Sequence, residues 1–154
     1  MTECSDSFID TLLSKPEYQT MTPPRCADCH AAARLTCGAE VYPHRPDLAD
    51  KPVWLCSCGA RCGCHPNTIK PLGTPAGPDT RAARMAAHAS FDALWKQGHM
   101  SRSAAYRWLA EQMGMHPDSC HIGMMSAEQA ERVATLAEGW FFRELFDLDD
   151  DGRC

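Results

Sequence analysis

The stretch that decides the fold is residues 54–77, WLCSCGARCGCHPNTIKPLGTPAG. Cys56, Cys58, Cys62, Cys64 and His65 fall within ten positions of one another there. That is more soft donor chemistry than one tetrahedral zinc uses. A partner pair stands upstream in CADC, where Cys26 and Cys29 have the two-residue spacing from which one tight turn presents two thiolates. Cys56-Ser57-Cys58 follows, one residue tighter, with Gly59 behind it to let backbone amides turn toward sulfur. Two such knuckles on short β-hairpins predict a zinc ribbon holding one structural Zn²⁺ through Cys26, Cys29, Cys56 and Cys58. Cys62, Cys64 and His65 are left over. They are read as ligands of a second metal, or of an open catalytic zinc using His65, or else as small buried thiols and a hydrogen-bonded histidine packed beside the ribbon.

Around this centre the chain divides by composition. Residues 1–24 are read as an acidic leader and linker, with one short helix through Ile9, Leu12 and Leu13 that Pro16 limits. Residues 25–78 are the ribbon. Runs RLTC, AEVY and PVWLC read as strands, with a tight hairpin at Gly38 between the first two. Residues 79–154 turn helical and end in an acidic tail. A first helix starts at Asp79 or Thr80, stops at Gly98 and carries Ala87, Phe91, Leu94 and Trp95 on one face. A second runs from Ser101 as N-cap to Gly114. A third opens with the capping box Ser126–Gln129 and carries Val133, Leu136, Ala137, Trp140 and Phe141 on one face. The predicted class is α+β, a zinc ribbon packed on a bundle of about three helices.

The 154 residues carry a net charge of −5, unevenly spread. Residues 25–110 hold eleven Arg and Lys against six Asp and Glu, while residues 111–154 hold three against ten. A basic middle suits an anionic partner, but not strongly enough to assign nucleic-acid binding by charge. No apolar run approaches a membrane span. The acidic start lacks the basic and apolar regions of a secretion signal. The expectation is therefore a cytoplasmic protein in which the ten cysteines serve as ligands and thiols, not disulfides.

The motifs CADCHAAARL, GAEVYPHRPDL, VWLCSCGARCGCHPNT, PLGTPAG, RAARMAAHASFDALW, MSRSAAYRWLAEQMG and CHIGM occur in that order. Together they resemble the zinc-finger-containing domain of unknown function found in bacteriophage and prophage genomes, over roughly residues 25–125. The resemblance implies a zinc-binding first half, a helical second half and no established activity. Relatives often have Cys-x₂-Cys where this chain has Cys56-Ser57-Cys58, and an apolar residue at Cys62.

Three roles follow as expectations. The first is a non-catalytic phage- or prophage-type binding protein acting on a host or phage protein or nucleoprotein complex, in the cytoplasm of a bacterial host. The second is a nucleic-acid-binding protein of phage DNA metabolism, for which Trp54, Tyr42 and His44 are stacking candidates, although core packing accounts for the first two. The third is a metal-dependent nuclease using His88, Asp92 and His121. Candidate binding residues are Arg81, Arg84, His88, Arg102 and Arg107 of the basic middle, and Trp140 and Phe141 ahead of the acidic tail.

Overall fold

The computed structural model describes residues 6–146. The chain forms two compact units, one up to Thr80 and one from Arg81. The class is α+β, with one small antiparallel sheet and a set of helices.

The first unit begins with α1 (Asp6–Leu13) and α2 (Pro16–Gln19). Pro16 starts the second helix instead of merely ending the first. Its fixed φ and missing N–H suit the first helical position. The stretch read as a leader is built into this unit. Leu12 and Tyr18 pack with Ala33, Trp54 and Ile69 in one buried cluster, joined by Met21. The sheet follows: β1 (Arg34–Cys37), β2 (Pro52–Leu55) and β3 (Arg61–Gly63), in that spatial order. β1 pairs antiparallel with β2, Leu35 facing Trp54, and β2 with β3, Trp54 facing Cys62. Trp54 thus sits in the middle strand, 4 % exposed, and donates its indole N–H to the Ile69 carbonyl at 2.8 Å. Its place in the core removes it as a stacking surface.

Two strand expectations need correction. AEVY is not a strand, and Gly38 makes no tight hairpin. Residues Gly38–Val41 form a single helical turn, α3, and β1 reaches β2 through the whole of residues 38–51, including a 3₁₀ turn at Pro46–Leu48. Alternation in AEVY spans too few residues to overrule the alanine and glutamate, which favour helix. Gly38 is required for close approach: a Cβ there would collide with the Leu48 carbonyl oxygen. Its amide meets the Lys51 carbonyl at 2.8 Å. The turn is fixed further by Glu40, which accepts from the Arg34 guanidinium and the Thr36 hydroxyl. Cys37, 3 % exposed at the end of β1, is disulfide-bonded, a departure from the all-thiol expectation.

The division between the units falls within α4 (Pro78–Phe91). After a one-residue interruption at Asp92 come α5 (Ala93–Lys96), then α6 (Arg102–Met113) and α7 (Ala127–Phe146). The helix expected from Asp79 or Thr80 to Gly98 instead starts at Pro78 and breaks at Asp92, while the signals of α6 and α7 act as chemistry demands. Ser101 Oγ accepts the Ala104 amide, and Gly114 closes α6 in the left-handed region at φ 64°. Ser126 and Gln129 exchange side-chain and backbone bonds at 3.2 and 3.0 Å. Ala87, Phe91, Leu94, Leu109, Ile122 and Val133 are at most 1 % exposed and form this unit's core.

Two glycines give opposite predictions. Gly38→Ala destabilises the protein by about 1–3 kcal/mol, because backbone must move to admit the methyl. Gly139→Ala, inside α7 with open space around it, stabilises by roughly 0.5–1 kcal/mol. Thermal melts of the two variants check both signs.

Candidate metal centre

Each knuckle is made by the same backbone device. The Cys26 amide donates to the Ala31 carbonyl at 2.9 Å, and the Cys56 amide to the Ala60 carbonyl at 2.8 Å. Inside each loop a second bond closes the turn: His30 N–H to the Cys26 carbonyl at 3.0 Å, Gly59 N–H to the Cys56 carbonyl at 2.9 Å. The residue after the second cysteine takes a positive φ in both, 64° at His30 and 90° at Gly59. The missing residue between Cys56 and Cys58 therefore changes the loop's length but not its closure. Sequence reading recognised Gly59 and passed over His30. Superposing the two motifs on their second cysteines would have shown His30 in glycine's place.

This backbone aims amides at sulfur. The Asp28 N–H lies 3.4 Å from Cys26 Sγ. The backbone of Ala31, Cys58 and Ala60 donates likewise to Cys29, Cys56 and Cys58. Each of the four sulfurs thus meets the amide two residues on. The four converge within 4.8 Å of one another, with Cys26 Sγ 3.7 Å from Cys58 Sγ and Cys29 Sγ 3.3 Å from Cys56 Sγ. A tetrahedron of Zn–S bonds of about 2.3 Å has S···S edges of about 3.8 Å. The donor set and spacing fit one Zn²⁺ held by four thiolates, with amide donors to offset the accumulated negative charge. Cys26 and Cys56 are buried, and Cys29 and Cys58 face solvent.

The thiols do not ionise alike without metal. The Cys58 backbone N–H, acting against burial and helped by the neighbouring sulfurs, holds Cys56 down to about 7. The Ala60 amide lowers Cys58, but the Cys56 sulfur, burial and the other thiols outweigh it and push Cys58 up to about 12. The Ala31 amide lowers Cys29, yet its bond to Cys56 and burial leave it raised. One negative charge centred on Cys56 therefore suppresses the next. A dication reverses that order and expels the remaining protons.

Asp28 anchors the first knuckle from inside its loop. Its carboxylate accepts the Gly77 amide at 2.6 Å and the Thr80 hydroxyl at 2.5 Å, and Ala27 N–H reaches the Pro75 carbonyl. A Cβ on Gly77 would stand 2.8 Å from Asp28 Oδ2. The role of Asp28 was not legible in the linear motif, since its partners lie some fifty residues on.

The leftover candidates fall elsewhere. Among the described residues, the quartet is the sole group of three or more His, Cys, Asp or Glu with ligand atoms this close. Cys62 and Cys64 flank Gly63, partly buried against the Trp54 cluster. Burial, with the charge of Cys62 behind it, pushes the Cys64 thiol up to about 12, which opposes thiolate ligation. His65 is exposed next to them. In the second unit, Asp92 is bracketed by His88 at 3.3 Å and Lys96 at 3.1 Å on one helix face. His121 lies with Arg102 on a separate shallow depression of about 250 Å³. Arg84 donates to the Met125 carbonyl at 2.8 Å, and Arg102 covers the Trp95 and Tyr106 rings. Arg107 is exposed and Arg81 half-buried. Trp140 and Phe141 stack edge-on with each other and with His99 and pack against the core of their unit.

Three outcomes follow for the metal. Purified protein holds one zinc per chain, and Cys26→Ser loses it and unfolds the first unit, since the metal contributes on the order of 10 kcal/mol. Cys62→Ala keeps it; loss of zinc there means the ligands are misassigned. Zinc affinity rises with pH, because binding releases thiol protons. It falls as pH drops through about 7, where Cys56 itself takes up a proton. A competition titration with a chromogenic chelator at pH 6, 7 and 8 reads that slope.

No curated protein and no solved structure matches the chain. The family model described as a zinc-finger-containing domain matches residues 22–139, reaching from ahead of the first knuckle into α7. The chain belongs to that family of zinc-finger-containing domains of unknown function.

Proposed function

We propose that this is a non-catalytic, zinc-stapled binding protein of phage or prophage type, working in the bacterial cytoplasm on a host or phage protein or nucleoprotein complex. One observation carries the non-catalytic reading. Four sulfurs already complete the metal's tetrahedron, whereas a catalytic zinc keeps one position for water or substrate. Zinc here would polarise nothing; it would hold two loops in place.

The end of α7 supports a protein partner. Phe142, Leu145 and Phe146 are 57 %, 81 % and 56 % exposed, beside Trp140 and Phe141, which pack inward. Three large apolar side chains on the last two turns of a helix suit insertion into an apolar groove of another protein. The acidic residues that follow in sequence, Asp147, Asp149, Asp150 and Asp151, suit a groove with a basic rim. They lie outside the described residues. Free nucleic acid is the weaker reading, because several cations of the basic middle already have partners within the chain. Arg34 pairs with Glu40, Arg45 with Asp47, and Arg61 lies on the Tyr42 ring. Nor do His88, Asp92 and His121 gather as a ligand set that a nuclease would use. No helix among the described residues is long and apolar enough to cross a membrane.

The test is capture from a bacterial lysate by immobilised protein, with and without nuclease. Wild type retains a protein partner after nuclease treatment, and retention weakens with salt. The triple variant Phe142→Ser, Leu145→Ser, Phe146→Ser melts within about 1 °C of wild type, since exposed positions contribute little to stability, and loses the partner. Retention by that variant removes α7 from the interface. Release of everything by nuclease favours the nucleic-acid reading.

A further inference from the structure

The first unit contains a cleft that the metal centre and α7 leave unused. It opens where β2 begins and β3 ends, beneath the 38–51 connection, with a volume of about 380 Å³. That lies at the small end of ligand pockets. Its walls are Leu48, Pro52, Val53 and Pro66, with Tyr42 at one side, and its charged or polar groups include Lys51 and His65. Val53 is 3 % exposed, so its side of the cleft is fixed by the core. The opposite wall is fixed by backbone: His65 N–H meets the Lys70 carbonyl at 2.9 Å, and Leu72 N–H meets the Gly63 carbonyl at 2.9 Å. The cleft is thus shaped by ladder and turn bonds.

Its electrostatics are one-sided. Among the described residues no carboxylate lines it, in a chain whose net charge is −5. The nearby acids Glu40 and Asp47 are engaged by Arg34 and Arg45. Asp50 precedes Lys51 in sequence but is not part of the wall. Lys51 is exposed, so its stem can cover apolar surface while its ammonium swings over the mouth. His65, also exposed, lines the same cleft and brings an imidazole to it. An aliphatic interior with cationic and imidazole donors at the rim matches one kind of occupant: an apolar group the size of a large side chain carrying a single carboxylate. Bases of nucleic acid fit less well. Four of the five apolar wall residues are aliphatic or proline, and the one aromatic, Tyr42, already carries the Arg61 guanidinium 4.9 Å from its ring centroid.

We infer that this cleft binds a small apolar carboxylate, seated on Leu48, Val53 and Pro66 with its anionic group held by Lys51 and His65. Two sources share that chemistry: a free organic acid, and the C-terminus of a peptide ending in an apolar residue. The inference does not rest on the α7 interface.

The experiment is a titration of zinc-loaded full-length protein, followed by its backbone amide NMR spectrum. The probes are 3-phenylpropionate, N-acetylphenylalanine and, as the neutral control, N-acetylphenylalanine amide. Expected are saturable shifts confined to the neighbourhood of Lys51, Val53, Gly63, His65 and Asn67, in the millimolar range. The neutral amide binds roughly tenfold more weakly, and Lys51→Ala weakens the acid by about tenfold, as loss of a charge-assisted bond does. His65→Ala weakens it by a smaller factor. Tighter binding of N-acetylphenylalanine assigns the site to peptide termini, and tighter binding of 3-phenylpropionate to free acids. Lys51 is exposed, so an unchanged spectrum elsewhere shows that its variant is folded. Absence of saturable shifts in the cleft, equal binding of the neutral amide, or unchanged affinity in Lys51→Ala overturns the inference.

Discussion

Four thiolates around one cation are the constraint on which the first unit depends. The knuckles stand about thirty residues apart, and each alone is a tight turn with two sulfurs pointed the same way. Bringing the pairs together without metal would crowd anionic sulfurs; the Cys56 and Cys58 thiols show this by moving in opposite directions, to about 7 and about 12. Zinc converts the repulsion into attraction, since each thiolate then faces a dication. Little apolar material supports the site from beneath. The buried cluster at the knuckles is Cys26, Cys56 and Ala60, with Ala31 beside it. Burial of so few small side chains does not hold two loops in register. The metal must.

Around that point the unit is arranged in tiers. Trp54 in the middle strand draws Leu12, Tyr18, Ala33 and Ile69 into a second cluster, away from the knuckles. Asp28, inside the first loop, reaches the Gly77–Thr80 stretch through two short bonds. A metal loop, a small sheet and the segments before and after it are thereby linked by a few named contacts. The cleft at the far end of β2 inherits its rigidity from the same sheet. Metal for position, with recognition left to the protein surface, is the arrangement that the proposed binding role calls for. A site for zinc chemistry would leave a coordination position open.

The chemistry of the quartet was legible in the sequence, and so were both ends of α6 and the start of α7, though not the start of α4 at Pro78 or its break at Asp92. Cys-x₂-Cys and Cys-x-Cys fix which sulfurs can share a turn. Ser101, Gly114 and the Ser126–Gln129 pair act through bonds spanning three or four residues, which a linear reading captures. What escaped depends on distant partners. AEVY alternates like a strand, yet its place is set by Gly38 packing on the Leu48 carbonyl and by Arg34 and Thr36 holding Glu40. β3 is three residues long, contains Gly63, and exists because β2 pairs with it. Tyr18 looked like part of a linker, but it is 5 % exposed because Trp54 and Ile69 offer it a surface. The apolar face read on α7 holds, with Val133 and Ala137 fully buried and Leu136, Trp140 and Phe141 packed against the core, while Phe142, one step beyond Phe141 and outside that face, is exposed.

The measurement that bears most directly on this account is X-ray absorption at the zinc edge of the purified full-length protein. The account predicts four sulfur neighbours at about 2.3 Å and no nitrogen or oxygen in the first coordination sphere. A sphere containing an imidazole nitrogen or a water oxygen would contradict it. That result would bring His65 or an open coordination position into the metal site and reopen the case for catalysis.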